Sequence, residues 1–164
     1  MRALAAFIIS ASAIFAQSAA PDHAAVRFKP IEFLFGNWIA QGGGASAGQG
    51  SGGFSFEPQI NKQIVIRKNF AEYTAGPEAG TRHDDLMIIF NENDSLHAIY
   101  FDSEGHVIRY AVKAPSPDVA VFESDATQPG PKYRLTYSLR GAELNGKFEV
   151  NDKIYLNWSS VRKK

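Results

Sequence analysis

The feature that most constrains the fold is a two-residue alternation of apolar and polar side chains, which recurs between short turn sequences from residue 36 onward. Successive side chains of a β-strand point to opposite faces, so this alternation is typical of strands. After residue 35 no stretch of the sequence keeps the 3.6-residue apolar period of a helix. The pattern predicts ten strands, over residues 36–40, 54–58, 63–73, 83–90, 96–101, 106–113, 119–124, 133–139, 144–150 and 154–161.

The short connections between these strands favour sequence-adjacent hairpins, and therefore an antiparallel up-and-down sheet. Such a sheet has two exposed edges unless it closes on itself, and closure removes both. We therefore predict an all-β fold with a single barrel of about ten strands, and a β-sandwich is the alternative. The glycine-rich stretches 42–53 and 74–81 are predicted to be loops.

The first twenty residues have the layout of a secretory signal peptide. A basic start at Arg2 precedes the apolar run Ala3–Ala16, and small residues follow at Ala16 and Ser18, where cleavage is expected. The alternative is a retained anchor, although the apolar run is shorter than the roughly 20 residues that span a bilayer. We therefore expect residues 21–164 to form the mature domain, without a membrane span, in the periplasm or secreted.

The charge balance and the absence of cysteine limit the function further. Seventeen basic residues face seventeen acidic ones, so nothing marks the chain as a nucleic-acid binder. No cysteine is present, so an exported form must be stabilised by its core alone. No Gly-x-Ser-x-Gly sequence is found, and residues 42–53 lack the Lys-Ser/Thr ending of a phosphate-binding loop. The oligomeric state stays open.

The sequence Phe33-Leu34-Phe35-Gly36-Asn37-Trp38 resembles the opening of the lipocalin-like (calycin) superfamily. Its Phe-Leu-x-Gly-x-Trp form looks more like nitrobindin-type proteins than true lipocalins. Residues 82–87 and 99–108 are similar to a secreted bacterial branch of that group, and the resemblance spans most of residues 31–160.

The resemblance implies a structural plug at one end of the barrel. Gly36 and Trp38 would close that end, and a basic residue late in the last strand, Arg162, would pack across the indole. Arg140 and Lys163 are alternatives to Arg162. The resemblance also implies a cup for a small, mostly apolar ligand. Nitrobindin-type proteins bind haem through a late histidine, but no histidine follows His106, so the resemblance does not carry the haem ligand across. We therefore expect no cofactor, and haem held by His83, His97, His106 or His23 is the alternative.

The alternation also selects candidate ligand contacts, because a ten-stranded barrel is wide enough to hold a ligand. Several polar and tyrosine side chains lie on the strand faces that could point into the barrel, and we predict that they contact a ligand. The alternative is that they only form hydrogen bonds with one another. The predicted set is Arg67, Asn69, His83, Asp85, Tyr100 and Tyr110.

A metal or an enzymatic role has less support in the sequence. His83 and Asp85 share a strand face, but two ligands fall short of the four of a structural zinc site, and nothing fixes His97 or His106 beside them. We therefore predict no metal and no catalytic residue. An enzyme acting through His83 and Asp85 would require a shared pocket and a shifted histidine pKa.

The sequence leaves two main hypotheses for function. The first is an exported barrel that binds a small apolar or amphipathic molecule. The second is a protein-interaction or inhibitor module, which would need an exposed apolar patch, for example at Phe54 and Phe56 or in the glycine-rich stretch.

Overall fold

A computed structural model of the chain describes residues 27–41, 49–125, 127 and 129–164. The predicted signal peptide, residues 1–20, lies outside the described residues. A short 3-10 helix, Lys29–Leu34, precedes ten strands: β1 Gly36–Ala40, β2 Gln49–Gln59, β3 Ile64–Tyr73, β4 Arg82–Glu92, β5 Ser95–Asp102, β6 Val107–Ser116, β7 Val119–Ser124, β8 Tyr133–Arg140, β9 Glu143–Val150 and β10 Lys153–Arg162. Within the described ranges, no helix has the length and apolar character needed to cross a membrane.

The ten strands form one closed antiparallel barrel in which each strand pairs with its sequence neighbours. Strand β1 closes the ring by pairing with both β2 and β10, and Trp38 lies opposite Arg162 in that register. The predicted up-and-down barrel is confirmed, and the alternative of a sandwich is wrong. Closure leaves no edge strand with unpaired backbone groups, which is the physical reason for this topology.

Two of the hairpins have two-residue turns whose geometry follows from the sequence. Asn93 and Asp94 both have positive φ angles, as do Asn151 and Asp152. This is the type I′ turn, whose twist matches that of antiparallel strands and which favours Asn and Asp. These turns fix the register of β4 with β5 and of β9 with β10, and so decide which side chains point inward.

One end of the barrel is packed solid with apolar side chains. The 3-10 helix inserts Ile31 and Leu34 there, and both are fully buried. Beneath them lie inward-facing residues of several strands, among them Phe56, Val65, Met87, Ile89, Ala120, Phe122 and Leu144. Apolar side chains of the protein itself therefore fill this end of the barrel.

Trp38 and Arg162 complete the packed end. The Trp38 indole N–H donates to the Leu34 carbonyl at 2.8 Å. The Arg162 guanidinium lies 4.4 Å from the centre of the Trp38 ring and donates to the carbonyls of Phe35 and, at 3.0 Å, of Phe33. The guanidinium thus ties the last strand to the segment between the helix and β1.

The prediction of a loop over residues 42–53 is wrong for its second half. Strand β2 begins at Gln49, and its glycines pair with β3. A side chain at Gly53 would approach the Trp38 carbonyl to 2.8 Å, so glycine here permits close packing of β1 and β2. Phe54 and Phe56, suggested as an exposed interaction patch, are buried in the core instead.

Candidate ligand-binding cavity

The end of the barrel opposite the 3-10 helix contains a cavity of about 740 Å³. Its lining comes from strand segments that the antiparallel topology brings to the same end, such as Tyr73 at the end of β3 and His83 at the start of β4. The cavity therefore occupies the half of the interior that the apolar core leaves unfilled.

A buried ion pair lies at one wall of this cavity. Arg67 and Asp85 point inward from adjacent strands, form a salt bridge, and are only 5% and 4% exposed at their side chains. Asn69 donates to the other carboxylate oxygen of Asp85 at 2.8 Å. Burial lowers and the Asp85 charge raises the pKa of Arg67, with the net pKa above its usual value. The guanidinium therefore stays charged.

His83 is held between two carboxylates at the mouth of the cavity. Its Nε2 lies 3.3 Å from Asp85 Oδ2, and its Nδ1 lies 2.8 Å from Glu104 Oε2. The hydrogen bond to Asp85 is the main cause that raises the pKa of His83 to about 9, against partial burial, and the hydrogen bond to Glu104 adds to it. His83 is therefore an imidazolium at neutral pH that donates from both nitrogens.

A second polar cluster links Tyr100 to the turn between β5 and β6. The Tyr100 hydroxyl donates to Asp102 Oδ2 at 3.2 Å, and His106 Nδ1 lies 2.8 Å from the same oxygen. The backbone N–H groups of Glu104 and His106 donate to Asp102 Oδ1. Burial raises the pKa of Asp102, but the hydrogen bonds from His106 outweigh burial and lower it. Asp102 is thus a carboxylate with both oxygens occupied.

Aromatic side chains form the facing wall. The rings of Tyr133 and Phe148 stack at 5.9 Å with only 7° between their planes, and Tyr155 meets the Phe148 ring edge-on at 6.2 Å. Trp158 also lines the cavity. A side chain at Gly146 would come within 2.1 Å of the Trp158 indole, so the glycine makes room for this tryptophan.

Tyr110 differs from the other polar residues of the cavity. Its side chain lines the cavity while the residue is only 3% exposed. Among the residues that the structure describes, its hydroxyl has no hydrogen-bond partner. Burial raises the pKa of Tyr110, so the hydroxyl remains a neutral phenol able to donate a hydrogen bond.

All six residues predicted as ligand contacts line this one cavity. Whether they contact a ligand stays a prediction. The sequence reasoning missed Glu104, His106 and the aromatic wall as parts of the same site. Asp102 could have been predicted as part of the site, because it lies two residues after Tyr100 on β5 and its side chain points to the same face.

Of the residues that could hold a metal, only His106 was considered in the sequence. Asp102, Glu104 and His106 offer ligand atoms within 4.8 Å of one another, but two of the three are exposed. Three ligands fall short of a structural zinc site. His97 stacks on Phe90, with ring centres 5.9 Å apart, and is not among the residues that line the cavity.

Haem is a poor fit to His83, because an iron ligand needs a nitrogen with a free lone pair. Both ring nitrogens of His83 donate to carboxylates, and its pKa of about 9 keeps both protonated at neutral pH. We derive no chemistry from such a group.

A shallower depression lies on the outer face of strands β8 to β10. Polar side chains line much of it, including Thr136, Ser138, Asn145 and Asn157. It lacks the buried ion pair and the stacked rings of the interior cavity, so it serves as a comparison for binding experiments.

Comparison with known proteins adds no relative to this picture. No protein-family model matches the chain, and no curated protein matches it either. The closed antiparallel barrel of ten strands is consistent with a lipocalin-like fold, and that statement rests on the architecture alone.

Proposed function

We propose that this protein binds a small apolar or amphipathic molecule inside the open half of its barrel. The observation that carries the proposal is the cavity of about 740 Å³ between an aromatic and a polar wall. Binding pockets for small molecules typically measure about 300–1,000 Å³ and combine apolar walls with a few placed polar groups. We also propose that the protein is exported, on the support of the signal-like pattern in residues 1–20.

The state of His83 does not suit a general base. A general base must accept a proton near the working pH. His83 has a pKa of about 9 and donates to Asp85 and Glu104, so at neutral pH it has no lone pair to offer. This supports a role for the His83–Asp85 pair in shaping the wall of the cavity.

The proposal is tested with N-phenyl-1-naphthylamine, a neutral probe that fluoresces in apolar surroundings. Ala71 lines the cavity, whereas Ala111 is exposed on the outside of β6. Ala71→Trp places an indole in the cavity and should weaken probe binding about tenfold or more, because an overfilled site cannot relax without strain. Ala111→Trp is the matched control and should bind like the wild type.

Two outcomes would contradict the proposal. One is equal probe affinity for the wild type and Ala71→Trp. The other is no probe binding by the wild type, together with no retained small molecule in native mass spectrometry of the protein purified from its producing cells. A retained adduct would instead give the mass of the natural ligand.

A further inference from the structure

The buried charged groups of the cavity are engaged with one another. Arg67 pairs with Asp85, whose second oxygen accepts from Asn69. His83 bridges Asp85 and Glu104. Arg67 Nε has no hydrogen-bond partner, but the charge of the guanidinium is balanced by Asp85. A charged ligand would therefore have to break an existing pair or bring an uncompensated charge into the barrel. Either event costs free energy.

The cavity instead offers a ligand a neutral hydrogen-bond donor. The Tyr110 side chain faces the cavity and is almost fully buried. Within the described residues, nothing accepts a hydrogen bond from its hydroxyl. The buried side-chain atoms without a partner include the Tyr137 hydroxyl but not that of Tyr110, so the Tyr110 hydroxyl is open to the cavity, where it can donate to a ligand acceptor.

The aromatic wall determines the shape of the ligand. Tyr133 and Phe148 lie nearly parallel to each other. Tyr155 extends the aromatic surface toward the mouth, and Trp158 extends it inward to Tyr137 of the core. Flat π faces bind best to flat apolar groups, through offset stacking.

We infer that the ligand is a neutral, planar aromatic molecule carrying a hydrogen-bond acceptor such as a ketone. Its acceptor takes the hydrogen bond of the Tyr110 hydroxyl, and its ring lies against Phe148 and Trp158. This inference rests on the proposed function and narrows it to one chemical class. A ligand recognised through a carboxylate or an ammonium group is therefore not expected in this cavity.

The test compares three probes that share a naphthalene ring: 2-acetylnaphthalene, 2-naphthoate and 2-ethylnaphthalene. Each competes with N-phenyl-1-naphthylamine. One hydrogen bond should make the ketone about three- to tenfold tighter than the ethyl compound. The carboxylate should be weaker than both, since the charge of Arg67 is already balanced by Asp85 and a second anion would be left uncompensated.

Tyr110→Phe removes the proposed donor and little else. It should weaken the ketone about three- to tenfold and leave the ethyl compound unchanged, which also shows that the variant is folded. Thr136→Val is the control, because it removes a hydroxyl from the outer face of β8, outside the cavity. It should change neither affinity.

The two levels of the proposal fail in different ways. Tight binding of 2-naphthoate, or an unchanged ketone preference in Tyr110→Phe, would overturn the ligand class while the naphthylamine still binds inside the barrel. No naphthylamine binding by the wild type, together with no small molecule retained in native mass spectrometry, would overturn the proposed function itself.

Discussion

Removing the Asp85 carboxylate should strongly destabilise the barrel. In Asp85→Leu the Arg67 guanidinium keeps its charge but loses its counter-ion, at a position where the Arg67 side chain is only 5% exposed. Asn69 and His83 lose their shared acceptor as well. Breaking a buried pair from one side typically costs about 3–5 kcal/mol. That is a large part of the roughly 5–15 kcal/mol that stabilises a typical domain.

Removing both charges together should lower the free energy of unfolding less than removing either charge alone. In the double variant Arg67→Met/Asp85→Leu no buried charge is left alone, and apolar groups of similar volume often replace such a pair without loss. We expect its free energy of unfolding to exceed that of both single variants. Urea unfolding followed by circular dichroism measures all four proteins on one scale.

An exposed ion pair supplies the control for this cycle. Arg82 pairs with Asp84 on the surface, so Arg82→Met should leave the urea midpoint almost unchanged. The reasoning is refuted if Asp85→Leu is as mild as Arg82→Met, or if the double variant is less stable than both single variants.

Three further perturbations have defined outcomes. Arg162→Ala removes a guanidinium–indole contact and two hydrogen bonds and should cost about 1–3 kcal/mol in urea unfolding, whereas Arg140→Ala on the exposed end of β8 should cost less. The pKa of His83 in the folded protein, about 9, exceeds its usual 6.5. The stability that His83 adds is therefore complete below about pH 6.5 and is lost as the pH rises through 9. The difference in free energy of unfolding between wild type and His83→Gln should shrink across that range. Gly146→Ala forces the Trp158 indole to move and should cost about 1–3 kcal/mol, with partial rescue by Trp158→Phe.

The alternation in the sequence was sufficient to predict the strands and the barrel, because burial of one face imposes the same two-residue period at every strand. It also selected the inward phase that carries Arg67, His83 and Tyr100. The glycine-rich start of β2 was misread as loop, because composition cannot show that Trp38 approaches the backbone of Gly53 closely.

The pairing within the cavity could not be predicted from the sequence. Which side chain meets which depends on register and on turns, as when the β5–β6 turn brings Glu104 to His83. The aromatic wall likewise combines residues from β8, β9 and β10 whose packing depends on the gap at Gly146. These contacts are tertiary, and no local pattern encodes them.

The central claim is that the interior of the barrel is the binding site. An amide NMR titration with N-phenyl-1-naphthylamine tests it directly, because each backbone N–H reports its own surroundings. We predict shifts at inward-facing positions around the cavity, such as Ala71, Tyr110 and Phe148. Shifts confined to the outer depression around Ser138 and Asn145, with the interior unchanged, would contradict the account.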